Sequence, residues 1–507
     1  MENKKRKNKK KVILIIVLAL IMIPIIIAGV LAIKVYNMGF AHNKERIAEF
    51  KALDGVIEVK EMWTMPMYPF TEKYMITFEQ PLDWADPSKG TFPQRVEVFI
   101  NSNPRITVME TEGYCLNDQR SKFADIINPP QETVAMFDGN YVDVEQRFFG
   151  KSRPADLDNE GTKYWEYLTS ENSAGDYHKI YTELSKVLSD KWIAEGTSRG
   201  GLMCNVYGYY YPDDMYVYVP YVAPCSDGMD DDRFYSFVNT EAGETALGEE
   251  EANRQRKLVL DFQVEAMRYK SDLLPKFKKE LKKQSYVDGV SEGVLYDMVV
   301  LDAGVQFWQY AHDINQITQV LDMPANTKKE IKAKQKAVYK LLLSLQKPED
   351  WATDFIAFPY YVGTAKEYGQ YHYDFSYLRE ALVEEGIGDT ISVTEEMEKN
   401  FMQNLVFNEE QRKVFVYDPS FRQALIESMS TTHAKHMMIV GGTDPWRSVA
   451  IQPEDYENEN IKYYINPNYP HTSKMNNLPD DMRKEAFETM SEWLDEEVIT
   501  ESKFFIK

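Results

Sequence analysis

Cysteine is scarce in this chain. Only Cys115, Cys204 and Cys225 occur among 507 residues, with no CxxC pair and no His/Cys cluster. That argues against a zinc module or a disulfide-built scaffold, and no metal and no cofactor is expected. Basic residues are outnumbered, 58 Lys and Arg against 80 Asp and Glu, for a net charge of −22. Nucleic acid is therefore not an expected partner. Low-complexity tracts and repeats of fixed period are also missing, which leaves an ordinary globular composition, 44% hydrophobic and 27% charged.

One long uncharged run is present. Val12–Ile33 holds 22 residues without a charge, preceded by seven Lys or Arg in "MENKKRKNKKK". The run is long enough to cross a hydrocarbon core of about 30 Å, and the basic flank should stay cytoplasmic. The expectation is an uncleaved signal anchor with everything after Lys34 outside the cell. The alternative is a cleaved signal peptide, whose apolar region would be only about 7–15 residues and would end at small residues; "IKVYNMGF" is a poor cleavage site.

The stretch "EGTSRGG", Glu195–Gly201, contains the pattern GxSxG around Ser198. In a chain with 25 glycines such a match arises by chance about one time in fifteen, so its context decides the matter. A nucleophile elbow needs a strand before the serine and a helix after it. "DKWIAEG" supplies a short apolar run, "GLMCNVYGYYYPDD" has helical spacing up to Pro212, and "MYVYVPYVAP" reads as the next strand.

Around the motif, "YMITFEQPLDW" and "QRVEVFI" alternate like antiparallel strands. "RITVMETEGY" and "ETVAMFDGNYVDVEQRFFG" read as buried strands, so a mainly parallel sheet covered by helices is expected. From Ser226 to about Glu410 long helical patterns replace the strands. "HAKHMMIVGGTDPW" and "KYYINPNYPH" then resume them before a closing amphipathic helix. The expected fold is α/β, an α/β-hydrolase core with a large helical cap insertion, preceded by one N-terminal transmembrane helix. Its parts are a basic tail (1–11), the anchor (12–33), a connecting segment (34–70), the first part of the core (71–225), the cap (226–410) and the second part of the core (411–507). If one disulfide forms, Cys204 with Cys225 is the favoured pair; three reduced buried thiols are the equal alternative.

A triad in hydrolase order needs an acid and then a histidine after the serine. Asp444 follows the apolar strand of "MMIVGGTDPW", and His471 is the one histidine of seven that lies beyond it. Asp444 could instead be a turn residue in Thr-Asp-Pro, and His471 a surface residue in a Pro/Asn-rich loop. In the catalytic reading Ser198 is the nucleophile, His471 the base and Asp444 its orienting partner. The oxyanion would meet the backbone N–H of Arg199 and a second N–H from Gly113 or Tyr114 in "ETEGYC".

"FEQPLDWADPSKGTFPQRVEVFI", "METEGY", "EQRFFGKSRP", "GTSRGGLMCNVYGYYYPDD", "GGTDPW" and "NPNYPHTSKM" together resemble the secreted prolyl tripeptidyl aminopeptidases, from about Tyr74 to Leu494. The resemblance implies a cofactor-free serine peptidase with a helical cap, and its triad falls on Ser198, Asp444 and His471. Two positions depart from the family pattern: Gln146 replaces a frequent histidine, and Gly363 stands where a glutamine is frequent in the cap. An exopeptidase must recognise the free ammonium of its peptide substrate; Glu112, Glu145 and Glu367 are the candidate partners. A carboxylesterase or lipase with the same triad is the competing reading, and a surface binding protein on a hydrolase fold is the third. The topology predicts that protease added to intact cells removes the domain and spares the basic tail. A soluble mature form beginning after residue 35 would show a cleaved signal instead.

Overall fold

A computed structural model describes residues 37–64, 69–116, 132–157, 161–281, 290–347, 364–399 and 407–501, together with residues 29, 34, 401, 403 and 404. Nine strands form one sheet: β1 (Val56–Met62), β2 (Phe70–Pro81), β3 (Thr91–Asn101), β4 (Thr107–Thr111), β5 (Asn140–Val144), β6 (Trp192–Thr197), β7 (Val217–Tyr221), β8 (His436–Gly441) and β9 (Ile461–Asn466). Their order across the sheet is β1-β2-β3-β5-β4-β6-β7-β8-β9. The β1–β2, β2–β3 and β3–β5 pairs are antiparallel, and from β5 to β9 every pair is parallel. The parallel part therefore presents the C-terminal ends of β4, β6, β7, β8 and β9 along one edge, where ligands of such sheets bind.

Every residue of β4, β5, β7 and β8 is buried, which is why these strands read as apolar runs rather than as alternations. Period two still sorts their side chains. Met109, Ala194, Tyr218 and Met438 face the helices Ser170–Leu184 and Arg199–Tyr210. Val108, Ile193, Val217 and Met437 face the closing helix Asp480–Leu494, through Ala486, Phe487 and Met490.

Two expectations need correction, and of the two cysteine alternatives the reduced one is found. "ETVAMF" is not strand: Glu132–Phe137 is a short helix, and Asp138, at φ 49°, turns the chain into β5. The segment 34–70 is more than a connection, because β1 pairs with β2 along the sheet edge and Phe50 from the helix Lys44–Lys51 packs edge-on against Tyr74. Cys204 and Cys225 do not pair. All three cysteines are buried and none is in a disulfide; Cys204 faces β6, its Sγ 3.5 Å from the Ala194 carbonyl oxygen, whereas Cys225 N–H bonds to Val449 O beyond β7. Among the described residues no helix is long and apolar enough to cross a membrane, and the expected span Val12–Ile33 lies, Gly29 apart, outside them.

Between β7 and β8 the described elements are helices and isolated turns, including Glu249–Arg268, Glu292–Gln309 and Lys328–Leu345. Thr327 and Glu330 form a capping box that starts the last of these. Cap residues such as Phe262, Val299 and Leu342 share one apolar cluster with Leu82, Phe92, Phe148 and Val449 from the core. The cap thus sits over the strand ends by hydrophobic contact.

"EQRFFG" lies beneath that contact. Arg147 is fully buried and forks onto Asp176 at 2.6 and 2.8 Å, while its remaining donors reach the carbonyls of Leu82 and Tyr167. Gln146 accepts from the Tyr177 hydroxyl at 2.6 Å and donates to Ser173 at 3.0 Å. The motif is a structural knot rather than a substrate site. Arg147→Met leaves Asp176 buried without its cation and should cost about 3–5 kcal/mol of stability. A urea melt should show the drop, with turnover per folded molecule little changed; an unaltered midpoint would contradict this role.

Candidate active site

Ser198 joins β6 to the helix Arg199–Tyr210 at φ 60° and ψ −123°, a strained conformation for a residue with a side chain. Its N–H donates to Tyr221 O at 2.9 Å, and its carbonyl accepts the Leu202 N–H at 3.0 Å. The flanking glycines permit this turn. A Cβ on Gly196 would overlap the Gly200 carbonyl, and one on Gly200 would come within 2.5 Å of Thr111 O. Strand and helix touch backbone to backbone, and the serine stands at the tip between them.

Asp444 follows β8 and His471 follows β9. Asp444 is fully buried; its Oδ2 lies 2.7 Å from His471 Nδ1, and its Oδ1 accepts the Trp446 N–H at 3.1 Å. The histidine loop is fixed at three points. His471 N–H donates to Gln309 O at the end of a cap helix, at 3.0 Å. A Cβ on Gly441 would overlap the Pro470 carbonyl, so the loop lies directly on the end of β8. Lys474 Nζ donates to Thr197 Oγ1, beside the nucleophile, at 2.8 Å. The structure thus brings Ser198, Asp444 and His471 to the same edge of the sheet, on the ends of β6, β8 and β9, with the His471 imidazole oriented by Asp444.

A cleft over Ser198 is lined by Tyr114, Leu202, Pro224, Tyr368, Tyr371 and Trp446, with Arg199, Ser226, Thr364 and Gln370 supplying polar groups. Half of the aromatic lining, Tyr368 and Tyr371, comes from "EYGQY" in the cap, a stretch in which only the glutamate stands out from the sequence. Trp446, two residues after Asp444, places its ring 6.3 Å from that of His471.

The remaining candidates separate. Arg199 opens the helix after Ser198, which puts its N–H at the positive end of the helix dipole. Its guanidinium donates to Gly113 O at 2.8 Å and to Thr364 Oγ1 at 3.1 Å, tying the loop after β4 and the cap to the elbow. Gly113 packs on this turn; a Cβ there would lie 2.7 Å from Gly200 N. The Tyr114 N–H donates to Glu112 Oε1 at 3.1 Å, which engages one oxygen of Glu112 in closing the loop after β4.

Glu145 is not placed to hold a substrate. It is fully buried and gripped by Arg95 at 2.7 and 2.9 Å, and it also accepts from the Ser152 hydroxyl and the Leu116 N–H. Glu367 lies beside the cleft residue Tyr368. Its Oε2 accepts the Ser170 N–H and hydroxyl at 2.7 and 2.6 Å, while burial pushes its carboxyl above the ordinary carboxylate range.

A family model described as PS-10 peptidase S37 matches residues 48–495. The prolyl tri/tetrapeptidyl aminopeptidase of Streptomyces mobaraensis is 31% identical over 259 residues, 51% of this chain and 50% of that protein, so the alignment spans about half the length of this relative. Among solved structures, the proline iminopeptidase of Mycobacterium smegmatis aligns over 82% of this chain and 98% of its own at 10% identity and a TM-score of 0.34. The rice cell wall degrading esterase LipA of Xanthomonas oryzae aligns over 87% and 96%, also at 10% identity and a TM-score of 0.34.

The dyad geometry makes a direct prediction. Asp444→Asn keeps the shape of the site but presents an amide to the imidazole and favours the wrong tautomer. It should lower kcat on the order of 10⁴-fold with little change in KM. Steady-state kinetics on any cleaved substrate would check this, and a loss below about tenfold would remove Asp444 from the triad.

Proposed function

The chain belongs to the PS-10 peptidase S37 family, and on that footing we propose that it is a serine exopeptidase releasing short, di- or tripeptide units from the amino terminus of peptides. The observation that carries the proposal is the left-handed Ser198 at the end of β6, with Asp444 and a correctly oriented His471 two and three strands along. His471 Nε2 removes the Ser198 proton as Oγ bonds to the scissile carbonyl carbon. Asp444 holds the Nδ1–H and stabilises the imidazolium. The carbonyl oxygen, now an oxyanion, receives the Arg199 N–H at the positive end of its helix and a second donor from the Gly113 loop. His471 then passes its proton to the leaving amine, and water repeats the sequence on the acyl-enzyme.

Proline before the scissile bond fits the aromatic lining formed by Tyr368, Tyr371 and Trp446, because a rigid, uncharged ring is bound well by such a wall. The name of the Streptomyces mobaraensis relative, prolyl tri/tetrapeptidyl aminopeptidase, points the same way. Glu367, next to the cleft residue Tyr368, and Glu112, two residues before Tyr114, are the carboxylates we assign to the substrate ammonium. The uncharged run Val12–Ile33 behind a basic tail supports a single membrane anchor with the catalytic domain on the outer face.

A carboxylesterase with the same triad is the second reading, favoured by one observation: no carboxylate is among the described residues lining the cleft. A proline-containing tripeptide anilide and its N-acetylated twin separate the two. If a charge-assisted contact of about 2–3 kcal/mol holds the ammonium, acetylation lowers kcat/KM by at least ~30-fold. Equal turnover would overturn the aminopeptidase reading.

A further inference from the structure

Behind the nucleophile the protein buries more ionisable groups than a triad requires. Glu110 on β4, Glu195 on β6 and Glu132 on the short helix before β5 are all buried. Thr133 Oγ1 donates to Glu195 at 2.6 Å, and the Tyr221 hydroxyl donates to Glu132 at 2.5 Å. Glu132 also accepts the backbone N–H groups of Met475 and Asn476 at 2.7 and 2.9 Å, four and five residues beyond the base. Burial raises all three carboxyls, Glu195 to about 7, and the Lys474 ammonium is the positive charge that opposes the rise at each of them. The neighbouring acids Glu112 and Asp143 add to the rise at Glu110.

Lys474 joins this cluster to the reacting groups. Its Nζ donates to Thr197 Oγ1 at 2.8 Å and lies 3.7 Å from the centre of the Tyr221 ring. Thr197 precedes the nucleophile, Tyr221 O accepts the Ser198 N–H, and His471 lies three residues before Lys474. A charge in such surroundings cannot move far without leaving buried carboxyls uncompensated.

We propose that Lys474 is a positioning residue: seated by the carboxyl cluster, its ammonium fastens the loop carrying His471 to the residue before Ser198 and thereby sets the register between base and nucleophile. The inference rests on the reading of Ser198 and His471 given under the proposed function. It asks more of Lys474 than stability, because reacting groups displaced by about 1 Å can lose on the order of 100-fold in rate.

The test compares Thr197→Val, Lys474→Met and the double variant, each assayed for kcat and KM on 4-nitrophenyl acetate and for its rate of inactivation by a fluorophosphonate. Each single variant should lose ~10-fold or more in kcat and in inactivation rate, with KM within ~3-fold of wild type. The double variant should be no slower than the slower single, because both changes sever one link. Lys474→Arg, which keeps charge and donor, should recover most of the loss. Multiplying losses in the double variant, or a wild-type kcat in Thr197→Val, overturns the proposal. Thr197→Val keeps the ammonium and the charge balance, so it decides the matter even if Lys474→Met does not fold. A wild-type protein that no fluorophosphonate labels overturns the site reading and the proposal together, whereas normal labelling of wild type with an unimpaired Thr197→Val overturns the proposal alone.

Discussion

Ser198 is held at φ 60° and ψ −123° between a buried strand and a buried helix. Such a conformation costs on the order of 1–3 kcal/mol and persists only where the surroundings leave no alternative. Here the Ser198 N–H is bound by Tyr221 O, and the Thr111 hydroxyl lies within 3.0 Å of the carbonyl oxygens of both Glu195 and Gly200. The glycines on either side let the two backbones meet where any larger residue would push them apart. The sheet order follows from the same demand: β4 and β7 must flank β6 so that their backbones close around the turn. Once the turn is fixed, the serine stands at the strand ends and the helix dipole points at its oxygen.

The rest of the site is arranged around that fixed point by long-range ties. Asp444 and His471 come from the next strands but one and two along, and their loops are stacked directly on each other at Gly441 and Pro470. Arg199 links the elbow to Gly113 and to the cap residue Thr364. The cap is joined to the core through shared apolar packing, and Gln309 at the end of one of its helices holds the His471 backbone. Cap and His471 loop are therefore mechanically connected.

Much of this was legible in the sequence because it depends on local pattern or chain order. Apolar runs gave away the parallel strands, GTSRGG the elbow, and elimination among the histidines led to His471. The helix Glu132–Phe137 is not legible because its apolar run, Val134–Phe137, is four residues long and has no resolvable period. Glu145 looked available for substrate because its real partner, Arg95, lies 50 residues earlier on a neighbouring strand. Lys474 left no signal at all, since the threonine it binds is 277 positions away. The proposed anchor Val12–Ile33 lies, Gly29 apart, outside the described residues, and the proposal rests on composition alone.

The central claim is that the backbone at Ser198 makes this one hydroxyl, among all the serines of the chain, a nucleophile activated by His471. Treating the native protein with diisopropyl fluorophosphate and mapping the adduct by peptide mass spectrometry tests it directly. The account predicts a single adduct on Ser198, formed in step with loss of hydrolysis and absent when the protein is unfolded before treatment. An adduct on another residue, or full labelling of Ser198 with hydrolysis intact, would contradict it.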